Sequence, residues 1–169
     1  MMKSRKNKIS ALLTALVVFV TLISLSVIYV PRFMGYHAYS IETGSMEPTL
    51  PLGCLAYVKN YPSFEDYQVN DIVTFADMSR ETFFTHRIVE TDAKNQCFIT
   101  KGDANEDVDP SPTAAINAVG KVQFFIPFLG YVAAFLRYRT VKIAVGIIYI
   151  AWIAIEVELI IAERKKRDE

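Results

Sequence analysis

The sequence predicts a mainly β body of about 90 residues held between two membrane-crossing helices. Three observations carry that expectation. Two apolar runs of bilayer length, residues 9–30 and 141–162, each have Lys and Arg clustered at one end. Between them, short stretches rich in Val, Ile, Phe, Tyr and Thr are separated by Gly, Pro, Asn and Asp, without helical periodicity. The 169 residues are 52% hydrophobic and only 21% charged, with a mean hydropathy of +0.25. That is too apolar for a disordered chain and more apolar than an ordinary soluble domain.

The remaining composition excludes other classes. Eighteen Lys and Arg balance 18 Asp and Glu, so there is no basic field to grip a polyphosphate, and nucleic acid is not an expected partner. Seven Gly and seven Pro are too few for a collagen-like or low-complexity chain. Cys54 and Cys97 cannot supply a disulfide scaffold or a tetrahedral metal site. Their own pairing is open, since it requires Cα atoms within ~7 Å.

Residues 1–8 contain Lys3, Arg5, Lys6 and Lys8 and read as a basic cytoplasmic tail. The charge-free run 9–30 follows, with Pro31 as its expected end. As a helix at ~1.5 Å per residue it spans ~33 Å, enough for a ~30 Å hydrocarbon core. It is too long for the ~7–15-residue apolar region of a cleaved signal sequence. The body, residues 31–123, should hold strands at 38–43, 54–59, 71–76, 83–91, 97–101 and 119–124. Residues 124–140 begin with an apolar stretch too short to span and interrupted by Pro127 and Gly130, which reads as interfacial. The second span is 141–162. Glu156 and Glu158 lie near its basic end, where headgroups would solvate them. Residues 163–169 form a charged cytoplasmic tail, so the body should lie on the opposite, outer face.

With only His37 and His86 present, the search for a general base is short. Ser45 lies in IETGSMEPTL, next to Gly44, which removes a side chain and permits unusual backbone angles, and before Pro48, which stiffens the turn. Glu47 stands where the second glycine of a G-x-S-x-G nucleophile elbow would be. The segment ITKGDANEDVDP contributes Asp103, Glu106, Asp107 and Asp109. Its spacing is not that of an EF-hand. A serine, a histidine and an orienting carboxylate are together the requirements for acyl transfer.

The order TGSMEPT, GCLAYVKN, NDIVTF, THRIVE, TKGDANEDVD resembles the type I signal peptidases, over roughly residues 40–128. It resembles the histidine-containing branch found in archaea, the endoplasmic reticulum and some Gram-positive bacteria, because His86 stands where the other bacterial branch has lysine. The resemblance implies a signal-peptidase-like antiparallel β catalytic domain. It also implies Ser45 as nucleophile, His86 as general base and Asp109 as its partner. Asp103 would be a supporting or alternative acid, and the Ser45 N–H with the Thr43 hydroxyl would hold the oxyanion. Thr43 stands where the family often has serine.

The implied function is a membrane-bound serine endopeptidase that cleaves N-terminal signal peptides from exported preproteins, with small residues at substrate positions −1 and −3. It requires no metal or organic cofactor. Expected partners are signal-peptide-bearing preproteins, the lipid bilayer and a possible membrane partner subunit. The expected location is the cell membrane, with the catalytic domain on the outer face, or alternatively the endoplasmic reticulum membrane. The rival reading is a catalytically inactive, membrane-anchored peptide-binding or assembly subunit of the same fold.

Overall fold

A computed structural model describes residues 2–168. Met1 and Glu169, the outermost residues of the two expected tails, lie outside it. The order of elements is α1 (Met2–Phe33), β1 (Tyr36–Ser40), β2 (Leu55–Lys59), β3 (Ile72–Asp77), β4 (Thr82–Asp92), β5 (Cys97–Lys101), β6 (Thr113–Ala114), β7 (Ala118–Ile126), α2 (Leu129–Arg137) and α3 (Arg139–Asp168). The chain divides into two compact units, Met1–Gly130 and Tyr131–Glu169.

The seven strands form one sheet in the order β1-β2-β7-β3-β4-β5-β6, and every neighbouring pair is antiparallel. Two apolar clusters stabilise it. Ile41, Met46, Leu50, Cys54 and Ala56 form one, with Ile72, Val122 and Phe125 against it. Tyr67, Val73, Phe75, Ile88 and Phe98 form the other, with Phe64 and Phe84 packed alongside. Phe64 stacks on Phe98 with ring centroids 5.0 Å apart. Such offset ring pairs add to what their buried area already contributes. Cys54 and Cys97 are both free thiols.

Among the described residues, two helices are long and apolar enough to cross a membrane: Thr14–Phe33 within α1 and Arg139–Ala162 within α3. Pro31 does not end α1 as expected from the sequence. A proline inside a helix removes the N–H that would bond the carbonyl four residues back. Here that carbonyl, Val27 O, accepts the Tyr57 hydroxyl of β2 at 2.9 Å instead. The helix therefore continues to Phe33 and stops at Gly35, which adopts the left-handed conformation at φ +82°. The expected interfacial stretch is also divided differently. Residues up to Ile126 complete β7, and the helix α2 starts at Leu129.

Candidate active site

Ser45 sits in the connection between β1 and β2, which the first core cluster fastens at three points. Ile41, Met46 and Leu50 are buried. Backbone bonds from Ile41 N–H to Cys54 O and from Gly53 N–H to Ile41 O close the base of the connection. With Met46 turned inward, its neighbour Ser45 is left partly exposed. The Thr43 and Ser45 hydroxyl oxygens are 3.2 Å apart. Gly44 does not need the special backbone angles expected of it, since it is absent from the positive-φ residues. A Cβ built there would make ordinary 3.6 Å contact with the Glu47 side chain.

His86 is carried mid-strand on β4, opposite Val73 of β3, and the Phe84 ring meets its imidazole edge-on at 5.5 Å. Its Nε2 lies 3.3 Å from Ser45 Oγ. Its Nδ1 lies 2.6 Å from Asp109 Oδ2. An ionised carboxylate can only accept, so this contact assigns the proton to Nδ1 and leaves Nε2 as an acceptor facing the serine hydroxyl. Both side chains are largely shielded, at 13% and 19% exposure, so their contact is weakly screened.

The loop after β5 joins these parts. Gly102 is required by close approach, because a Cβ there would lie 2.6 Å from Ser45 O. That approach lets Ala104 N–H donate to the same carbonyl at 2.9 Å. Asp103 accepts Arg87 Nε at 2.8 Å and Nη2 at 2.6 Å, and the Thr49 hydroxyl at 2.5 Å. Arg87 also donates to Asn70 O. The Arg87 hydrogen bonds hold the Asp103 carboxyl below the usual carboxylate range, against the effect of burial and with help from Thr49. The same hydrogen bonds push the Arg87 guanidinium upward. Asp103 thus ties β4 to the segment after Ser45, and Asp109 meets the imidazole. Asp109 is itself held by Thr100, whose hydroxyl donates to Oδ2 at 2.5 Å and whose carbonyl accepts the Asp109 N–H at 2.8 Å.

The structure therefore brings Ser45, His86, Asp109, Thr43 and Asp103 into one neighbourhood. His37 is elsewhere, exposed on β1 opposite Val58. Sequence reasoning missed Arg87, Thr49 and Thr100. Arg87 had a signal, since it directly follows the candidate base and is a cation beside an acidic loop. Thr100 had only strand alternation, which marks it as inward-facing without saying what it meets.

A serine hydroxyl, an imidazole and a carboxylate in one row, on an antiparallel β scaffold, define a site suited to acyl transfer of the serine-hydrolase kind. Comparison with known proteins narrows this. Residues 12–94 match the family described as signal peptidase, peptidase S26, a match that includes Ser45 and His86 and stops before the acidic loop. The chain is 32% identical over 121 residues to signal peptidase I W of Bacillus subtilis, covering 69% of this chain and 63% of that protein. It is 30% identical over 108 residues to the signal peptidase complex catalytic subunit SEC11 of Colletotrichum graminicola, covering 57% and 61%. A SEC11 protein of Pyrenophora tritici-repentis is 32% identical over 107 residues, with the same coverage. The chain thus spans somewhat over three fifths of the length of these relatives. Over the matched residues, Ser45 and His86 among them, the chain is thus similar to the signal peptidases of the peptidase S26 family.

Proposed function

We propose that this chain is a membrane-bound serine endopeptidase that removes N-terminal signal peptides from exported preproteins. The observation that carries the reading is the row Ser45 Oγ, His86 Nε2 and Nδ1, Asp109 Oδ2, with separations of 3.3 Å and 2.6 Å. The first distance is long for a hydrogen bond, as is common before substrate tightens a site.

In this mechanism His86 Nε2 takes the Ser45 proton as Oγ attacks the scissile carbonyl carbon. Asp109 stabilises the imidazolium that forms and keeps its orientation. The Ser45 N–H and the Thr43 hydroxyl donate to the oxyanion. Collapse of the tetrahedral adduct breaks the C–N bond, and the leaving amine takes the proton from Nε2. Water, deprotonated by the same nitrogen, then hydrolyses the ester and releases the signal peptide. Asp103 acts as a supporting acid that fixes the loop through Arg87 and Thr49.

β1 pairs with β2 at one edge of the sheet and ends before Ser45. An extended substrate could add to its open edge and run toward the hydroxyl, with small side chains entering shallow pockets. The two spanning helices would place the body at the outer face of the cell membrane, or of the endoplasmic reticulum membrane, with both tails cytoplasmic. Residues 124–140 would rest against the headgroups. The SEC11 relatives are named as subunits of a complex, which makes a membrane partner subunit a reasonable companion here.

The test is cleavage of a purified preprotein by the detergent-solubilised chain, with both products identified by mass. A single cut after a small residue, absent with Ser45→Ala, is expected. Equal cutting by the two proteins would reject Ser45 as nucleophile, and no cutting by either would favour a non-catalytic subunit.

A further inference from the structure

The carboxylate facing His86 has a second partner that the mechanism has not used. Thr100 is fully buried on β5 and pairs with Ile88 of β4. Ile88 is two positions beyond His86 on β4, so by strand alternation Thr100 and His86 belong to the same face of the sheet. Asp109 enters that face from the loop beyond β5, and Thr100 holds it at both ends. The Thr100 carbonyl accepts the Asp109 N–H at 2.8 Å, and the Thr100 hydroxyl donates to Oδ2 at 2.5 Å.

The oxygen that receives this hydroxyl is the one that faces the imidazole, Oδ2 to His86 Nδ1 at 2.6 Å. A carboxylate on a loop would otherwise rotate about its χ angles and present either oxygen, or neither, to the histidine. A hydroxyl fixed in the neighbouring strand removes that freedom before substrate arrives. Being buried, it also cannot exchange its partner for water without cost.

Resting on the reading of Ser45, His86 and Asp109 given above, we propose that Thr100 is a positioning residue for the reaction, acting on His86 through Asp109 Oδ2. Thr100→Val keeps the volume and the β-branch and removes the donor. It should lower kcat about 10- to 100-fold, the size of one charge-assisted hydrogen bond, with KM unchanged within about twofold because no substrate contact is lost. Thr100→Ser, which keeps the hydroxyl, should recover most of that loss.

The decisive comparison is made in an Asp109→Ala background, followed by single-turnover cleavage of a preprotein at excess enzyme. There Thr100→Val should change the residual rate by no more than about twofold, because the residue through which it acts is gone. Undiminished kcat for Thr100→Val, or a loss that multiplies fully onto Asp109→Ala, would overturn the proposal. A near-wild-type rate for Asp109→Ala alone would instead reject Asp109 as the partner of His86, a separate failure. If Thr100→Val does not fold, Thr100→Cys replaces it. Its weak S–H donor should give a kcat between the wild type and the floor set by Asp109→Ala, and full activity would again overturn the proposal.

Discussion

Replacing Asp103 by asparagine tests the loop that assembles the site without touching the reacting groups. The carboxylate takes three donors: two from Arg87, at 2.8 Å and 2.6 Å, and the Thr49 hydroxyl at 2.5 Å. An amide of the same shape has one oxygen to offer and an NH2 where the second oxygen stood. At least one donor therefore loses its acceptor, and the rest bond to a neutral group. Hydrogen bonds to charged groups contribute about 1.5–3 kcal/mol each, roughly twice the neutral kind. The side chains are 27% and 15% exposed, so water recovers part of the loss, and a net cost near ~3 kcal/mol follows. For a body of this size that lowers the melting temperature by at least ~10 °C. The assay is thermal unfolding in detergent followed by reaction of a thiol dye with Cys54, which is buried in the native state.

The pH dependence fixes the cause. Because Arg87 holds the Asp103 carboxyl below its unfolded value, its stabilisation is complete above the ordinary aspartate pKa of ~3.9 and fades as pH falls through the lower folded value. The gap between wild type and Asp103→Asn should be full at neutral pH and close in acid below that range. A gap under ~1 kcal/mol at neutral pH, or one that does not narrow in acid, would refute the argument that this ion pair ties the loop to β4.

Three further outcomes are expected. Asp109→Asn should lower turnover at least ~100-fold with little change in melting temperature, because the amide can donate to Nδ1 and select the wrong imidazole tautomer; rates and melts on the same preparation check this. Gly102→Ala should lose activity to a similar degree, since its Cβ would lie 2.6 Å from Ser45 O and a backbone atom cannot swing aside; Gly44→Ala, which meets only the flexible Glu47 side chain, should fold normally. In inverted and right-side-out vesicles of a Cys97→Ser background, an impermeant thiol reagent should reach Ser63→Cys from the outer face and Lys165→Cys only from the cytoplasmic face.

Much of this architecture is legible in the sequence, for identifiable reasons. Strand β5 was expected at its observed bounds, because Cys97–Lys101 lies between turn residues and is rich in β-formers. β6 was missed because two residues, Thr113 and Ala114, are too few to show alternation. Pro31 misled at the end of α1, since the donor that replaces its missing N–H comes from Tyr57, distant in sequence. The motif around Ser45 grants Gly44 a backbone freedom that the turn does not use, whereas Gly102 matters through its close approach to Ser45 O, which no local pattern shows. In the site, each candidate was visible as a residue type in a motif. The ties among them were not. Arg87 to Asp103 and Thr100 to Asp109 depend on the register of β4 against β5 and on the path of the loop, which local pattern does not encode.

The central claim is that Ser45, activated by His86, forms an acyl-enzyme, and trapping that species tests it most directly. Hydroxylamine added during preprotein cleavage competes with water for the ester. The released signal peptide should then carry a C-terminal hydroxamate in a fraction that rises with hydroxylamine concentration, and both hydroxamate and carboxylate products should vanish with Ser45→Ala or His86→Ala. Carboxylate product alone, formed at an undiminished rate by Ser45→Ala, would contradict the account.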